Sequence, residues 1–363
     1  MVMGKLRYIL ALISLFFLNL RGFWGSMFGA ETLMITLFIN FLLLIAIDYS
    51  KLNVKFFFIF VFLTPLLLYN RAALFLVNLA LFVYLLQGYS IKKIALVNFI
   101  TLILSYVTIR LFQEMGLLQI TVNTLYAHGK GVVQTFGFNN PNTFAFFYFN
   151  VITNLYIVVK GLKMESLFTV LLLFLSVIFY DQCQSRTMLG AVIVLFLMHW
   201  IMNLHILGEK VKYIIGVFPA FFVGITFFFI RNIDNYLAVD VFASGRLSIY
   251  SEIIRGMGKL NWLLGVSLPE GPMDGALFML LFTGGIVTLL FFLWVFYKTV
   301  VFNYRSISLY LPVIVAVLFY GFFENAFAAV NGISIVFWIL ICDFLKNNQS
   351  IGVSLKYNNR LNY

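Results

Sequence analysis

The chain has 363 residues, of which 63% are hydrophobic and only 10% charged, with a formal net charge of +11. A soluble globular domain runs at roughly 45–50% apolar and about 25% charged residues, so this composition excludes one and reads as a polytopic membrane protein. The positive charge does not point to nucleic acid, because the basic residues fall in short clusters between apolar runs, as topology signals do.

In chain order, Lys5 and Arg7 precede an apolar run to Leu20. This resembles a signal peptide, but no A-x-A site follows and a second apolar segment begins at once, so it reads as a retained first helix. Apolar segments long enough to cross a hydrocarbon core of about 30 Å fall near 6–20, 31–47, 54–70, 72–88, 93–112, 141–160, 164–181, 187–206, 211–231, 274–298, 307–327 and 329–345. The expected fold is therefore all-α: a single membrane domain over 1–363 with about twelve transmembrane helices. The two cysteines, Cys183 and Cys342, fall near opposite faces, and no metal-ligand spacing exists. His128, His199 and His205 form no motif, and packed or interfacial roles are expected for the last two.

An even number of spans puts both termini on one side. If that side is the cytoplasm, the cytoplasmic loops hold fifteen cations and four acids, and the outer side nine of each. The whole net charge then sits on the cytoplasmic face, which supports a multi-pass protein of the cell membrane with both termini cytoplasmic. Twelve of the fifteen inner cations are Lys, whereas seven of the nine outer ones are Arg. Topology needs only charge; a planar guanidinium that binds two oxygens at once suits phosphate recognition.

Three outer segments stand out. In the first, Gly137 to Asn142, Asn140 is a good N-cap and Pro141 a good first helical residue; Asn142 and its neighbours also place amides where sugar hydroxyls would be met. The second, Asp181 to Thr187, is a short polar turn in which Ser185 can cap the next helix and Arg186 falls in a first turn whose dipole disfavours a cation. A residue placed against the local preference is the better functional candidate, with an arginine snorkelling to the interface as the competing reading. The third, 231–275 between spans nine and ten, is the one long polar stretch. Its residues Leu247, Tyr250, Ile253, Ile254, Met257 and Leu260 are apolar at helical spacing, and Ser248, Glu252, Arg255 and Lys259 form a polar stripe. That is an amphipathic helix at the membrane surface. Ser244 and Gly245 would start it, and free amides beside Arg246 would make an anion site. A solvated helix resting on lipid headgroups competes with that reading.

These segments, followed by Leu264-Gly265-Val266, by Asp274 and by Gly284-Gly285-Ile286, resemble the O-antigen ligase/polymerase superfamily over about 130–290. The nearest match is to the Wzy-type polymerases of O-antigen and capsular polysaccharides. The resemblance implies a GT-C-like glycosyltransferase with an extracytoplasmic active site. It would join undecaprenyl-diphosphate-linked oligosaccharide repeat units into polysaccharide, without nucleotide sugar, metal or other cofactor. Its partners would be that lipid-linked glycan, membrane lipids, and flippase and chain-length regulator proteins. Arg186 and Arg246 would contact the diphosphate. The superfamily's ligases carry a histidine near the end of the long loop, where this chain has Asp274, and 206–363 contains no histidine.

The chemistry requires fixed cations where charge develops on the leaving diphosphate and an oriented acceptor hydroxyl, with a base for its proton unless leaving-group activation alone suffices. The candidates are Arg186, Arg246 and Asp274 as catalytic groups. Arg255, Asn142, Ser185, Tyr250 and Glu270 are the candidates for substrate binding. A ligase and a lipid-linked oligosaccharide flippase are the competing functions. A flippase calls for ionisable residues at mid-bilayer depth, whereas here nearly all of them sit at span ends.

Overall fold

The computed structural model describes residues 2–24, 31–47, 66, 69–70, 73–86, 89–117, 123–126, 131–138, 140–204, 210–266 and 274–342. The expected span 54–70 lies almost wholly outside them, and so does Glu270. The helices are α1 (Val2–Trp24), α2 (Glu31–Ala46), α3 (Leu74–Leu86), α4 (Ile91–Glu114), α5 (Pro141–Val159), α6 (Glu165–Cys183), α7 (Arg186–Asn203) and α8 (Val211–Arg231). After them come the loop helices α9 (Leu237–Phe242), α10 (Arg246–Gly256) and α11 (Lys259–Leu264). The chain then runs through α12 (Ala276–Phe302), α13 (Tyr304–Ile307), a 3-10 turn (Ser308–Tyr310), α14 (Leu311–Phe323) and α15 (Gly332–Ile341).

Seven runs among the described residues are long and apolar enough to cross a membrane: α4, α5, α6, α7, α8, α12 and the continuous stretch Tyr304–Phe323. Helices α3 and α15 are shorter apolar helices. The molecule is thus a polytopic, membrane-embedded helical protein. Large apolar side chains such as Leu111, Phe174, Ile214 and Phe221 stand exposed along these helices. Lipid is the solvent that tolerates such a surface.

The described residues are nearly all helical, as expected, with one short hairpin as the exception. Strands β1 (Asn123–Tyr126) and β2 (Gly131–Gln134) pair antiparallel between α4 and α5, with Asn123 opposite Gln134. The β-branched Thr124, Val132 and Val133 favour extended backbone, and pairing satisfies main-chain groups that a loop would leave open.

Helix α1 packs on α2 and α4, α4 on α5, α7 along α14, and α8 along α12. Successive spans alternate in direction, joined by short turns, by the hairpin or by the long loop. The C-terminal ends of α4, α6, α8 and α14 therefore meet the N-terminal ends of α5, α7 and α12 at one end of the bundle. Arg110, Arg186, Arg231 and Arg246 lie at that end. At the other end Lys92 donates to the Lys160 carbonyl and Lys160 pairs with Glu165 at 2.9 Å. His199 is fully buried there, bonded to Tyr156, Ser166 and Asn203, the packed role expected of it.

Helix α12 is broken. Gly285 sits at φ 71°, ψ −179°, far from helical values, and the half-helix before it is buried throughout. The break strands carbonyls that the loop then satisfies. Val266 N–H donates to Phe282 O at 2.5 Å, and the buried Asn70 side chain donates to Thr283 O at 3.0 Å and Val266 O at 2.7 Å. A Cβ on Gly285 would overlap the Leu263 carbonyl, and one on Gly265 would lie 2.5 Å from Phe282 O. Only glycine permits this crossing of two backbones.

Candidate functional site

The long loop begins at the end of α8 and folds back through a 3-10 turn (Ile233–Asn235) and α9. Ser244 (φ 59°) and Gly245 (φ 78°) then reverse the chain, and α10 starts at Arg246, as the sequence leads one to expect. Its apolar stripe is buried at Leu247, Tyr250 and Met257. The helix is shorter than the pattern implies: Gly256 ends it, Met257 is extended, and α11 begins at Lys259. Glycines on both sides of Met257 weaken the helix enough for tertiary packing to split it.

The expected anion site at the start of α10 is filled by the protein itself. The buried Asp240 accepts from Leu247 N at 2.8 Å and Ser248 N at 3.2 Å, and the Ser248 hydroxyl donates to the same carboxylate. A carboxylate on helix-terminal amides is a strong cap. Asp240→Ala is therefore expected to lower stability by about 1–2 kcal/mol, read as a lower thermal midpoint in nanodiscs. An unchanged midpoint would show the cap to be dispensable.

Arg246 lies at the centre of the site. Its Nη2 meets Asp274 Oδ2 at 2.9 Å and Glu324 Oε1 at 3.2 Å, and its Nε reaches the same Asp274 oxygen at 3.3 Å. The three side chains are 19%, 30% and 18% exposed. Three elements bring them together: the first residue of α10, the chain just before α12, and the C-cap of α14. Tyr250 fixes the middle one. Its hydroxyl donates to the Asp274 carbonyl, and its ring stacks on Phe278 at 4.6 Å. It is 4% exposed, so the ring is a packed strut, not an open platform for a sugar.

Burial, and then the adjacent Asp274 charge, push the Glu324 carboxyl up to about 8, against the pull of Arg246. Burial alone would lower the Arg246 guanidinium, but Glu324 and Asp274 outweigh it and hold the proton more firmly than usual. Burial raises the Tyr250 phenol well above its ordinary value. The site is thus one permanent cation facing two carboxyl groups, one of which keeps its proton near neutrality.

The other sequence candidates are placed as follows. Arg186 is the first residue of α7, exposed, with its guanidinium 5.9 Å over the Phe242 ring of α9. It therefore touches the loop just upstream of Arg246. Ser185 occupies the N-cap position of α7 but makes no side-chain cap bond. It is buried below Gln184, whose left-handed backbone (φ 52°) closes α6. Asp181 lies exposed in the last turn of α6. Asn142, half-buried, donates its backbone N–H to Asn140 Oδ1 at 2.7 Å, which gives Asn140 the capping role read from the sequence. Gly137, which opens that segment, accepts from Gln113 at 2.5 Å, and Gln113 accepts from Arg110 at 3.2 Å. Arg255 lies on the side of α10 away from Arg246, facing an open cavity of about 380 Å³ lined by Asp234, Leu237, Ser248, Ser251 and Glu252. It does not join the cluster.

Glu324 is the member the sequence reading passed over. It is the one acid between Asp274 and Asp343, set in an otherwise apolar run, and that isolation is the signal that marks it. Among the described residues no group of His, Cys, Asp and Glu is arranged to hold a metal ion.

Fold and site together define a polytopic membrane protein with an arginine–dicarboxyl cluster at one end of its helix bundle. Comparison with protein-family models, with curated proteins and with solved structures finds no match.

Proposed function

We propose that this chain is a membrane glycosyltransferase that polymerises undecaprenyl-diphosphate-linked repeat units on the outer side of the cytoplasmic membrane, on a GT-C-like scaffold of about twelve spans. The observation that carries the reading is the convergence of Arg246, Asp274 and Glu324 where the long loop, the broken helix and α14 meet. A glycosyl transfer from a diphosphate needs an oriented hydroxyl, a group to take its proton, and cations near the leaving group. The cluster offers carboxyl groups held in place by a guanidinium. Arg186, exposed beside α9, offers a cation for the diphosphate.

In cells that make such a glycan, replacing the protein with its Asp274→Ala variant is expected to abolish long chains while single repeat units accumulate outside the membrane. Chains of normal length would refute the site. Units accumulating inside would favour a lipid-linked oligosaccharide flippase. One observation speaks for that second reading, since discontinuous helices line the sites of many transporters. Here, however, the Phe282 and Thr283 carbonyls beside the break already accept from Val266 and Asn70, so the break is packed against the loop.

A further inference from the structure

A polymerase site must hold two unlike groups, a donor diphosphate and an acceptor hydroxyl, and the charges around Arg246 distinguish them. The guanidinium directs Nε and Nη2 at Asp274 and Nη2 also at Glu324. A diphosphate brought to it would find only Nη1 outside these contacts and would lie beside two carboxyl groups, one of them charged. A sugar hydroxyl has the opposite fit. It donates to a carboxylate and accepts from a guanidinium or a protonated carboxyl, so it joins the cluster without adding charge. Arg186 stands apart from this arrangement, exposed on α7 against Phe242.

We propose that the Asp274–Glu324 pair receives the acceptor hydroxyl, with Glu324 as a further catalytic residue, and that Arg246 is the counter-ion of this pair and not the ligand of the donor diphosphate. This rests on the glycosyltransferase reading above. In the transfer, the acceptor oxygen forms its bond to the anomeric carbon as its proton passes to Asp274. The bond from that carbon to the diphosphate oxygen breaks, and its electron pair leaves with the diphosphate anion. The carboxyl pair then releases the proton to water. Glu324, held beside Asp274 by the guanidinium they share, orients the Asp274 oxygen that accepts the proton. The groups facing Glu324 are Asp274 before α12, Arg246 and Tyr250 on α10, and Tyr320 on α14. Once Glu324 ionises, the two carboxylates repel and compete for one guanidinium.

The test uses the full-length protein in lipid nanodiscs and two binding probes: the repeat-unit oligosaccharide without diphosphate, and undecaprenyl diphosphate without sugar. Asp274→Asn and Glu324→Gln are each expected to weaken oligosaccharide binding about tenfold, the loss of one hydrogen bond to a charged or strongly polar group. Binding of undecaprenyl diphosphate should stay within about twofold in both, and should fall about tenfold in Arg186→Ala. With lipid-linked repeat units as substrate, Asp274→Asn should slow elongation about 100-fold, the scale of a lost proton acceptor. Wild-type elongation should decline above about pH 8, where Glu324 ionises, and Glu324→Gln should be slower at neutral pH but lack that decline.

Tighter binding of undecaprenyl diphosphate in Asp274→Asn or Glu324→Gln, by about tenfold, would overturn the proposal, because it is what a guanidinium released to phosphate gives. Unchanged oligosaccharide binding in both variants would also overturn it. If the wild type fails to elongate lipid-linked units while its oligosaccharide binding still depends on Glu324, the glycosyltransferase reading falls and the hydroxyl site stands.

Discussion

Arg246→Ala should lower the thermal midpoint of the protein in nanodiscs by about 5 °C. The substitution leaves Asp274 and Glu324 facing each other without their cation. Removing one partner of a fully buried ion pair costs about 3–5 kcal/mol. These side chains are 18–30% exposed, so water screens part of the loss and about 2–3 kcal/mol is the better figure. For a chain of this size each kcal/mol moves the midpoint by roughly 2 °C. Arg246→Lys keeps the charge but loses the fork that reaches both acids, so it should fall between wild type and Ala.

The deficit should depend on pH. Without the guanidinium that pulls its value down, Glu324 holds its proton to still higher pH in the folded protein than in the unfolded chain. The folded state then binds more protons, and stability falls as pH rises. The Arg246→Ala deficit should therefore be small near pH 5 and largest near pH 8. Wild-type Glu324 follows the same sign, because its folded value of about 8 lies above the ordinary 4.5. Its contribution is fully present below the ordinary value and is lost as pH climbs through about 8. Glu324→Gln should remove that slope. A midpoint unaffected by Arg246→Ala at pH 8 would show that the trio contributes no stability.

Gly285→Ala should have a still larger effect, with little or no folded protein recovered by size-exclusion chromatography. Two costs combine. The residue must adopt φ 71°, a strain of about 1–3 kcal/mol for a side chain. Its methyl group must also displace the backbone at Leu263, which cannot move without breaking the Val266–Phe282 bond and the contacts of Asn70. Changes above about 4 kcal/mol are rare, and combined backbone strain and overpacking in a core is one of the routes to them. Gly224→Ala, on α8 with nothing within 4 Å of the added atom, is the control. It should be neutral or slightly stabilising, because alanine favours helix. Equal recovery of the two variants would mean that the crossing at Gly285 is not needed for folding.

Much of this architecture can be read from residue patterns, and what cannot has physical causes. Hydropathy alone locates the long spans, because lipid imposes one requirement on every residue of a span. The start of α10 at Arg246 and the capped start of α5 at Asn140 and Pro141 are equally legible, since capping chemistry is local. The break in α12 is marked by Gly284-Gly285, but an apolar sequence on both sides makes it read as one continuous span. What breaks it is the backbone of a segment about twenty residues earlier. The β-hairpin is too short to show strand alternation. Of the site, Arg246 and Asp274 stand out as polar residues near a loop helix. Glu324 and Asp240 do not, because their roles are set by contacts across 78 and 7 positions of chain.

The crossing of Gly265 and Gly285 also bears on modularity. A loop that merely sat on the bundle could be trimmed, exchanged with that of another protein, or interrupted by a reporter without disturbing the spans. This one cannot be handled so at its far end, because Leu263 to Val266 complete the hydrogen bonding of a buried half-helix. Chimaeras that replace the loop as far as Gly256 lose Asp240, Arg246 and Tyr250 and should be less stable, but should still insert. Those that continue through Val266 remove part of the interior and should be lost to the cell's quality control, even with every transmembrane segment intact.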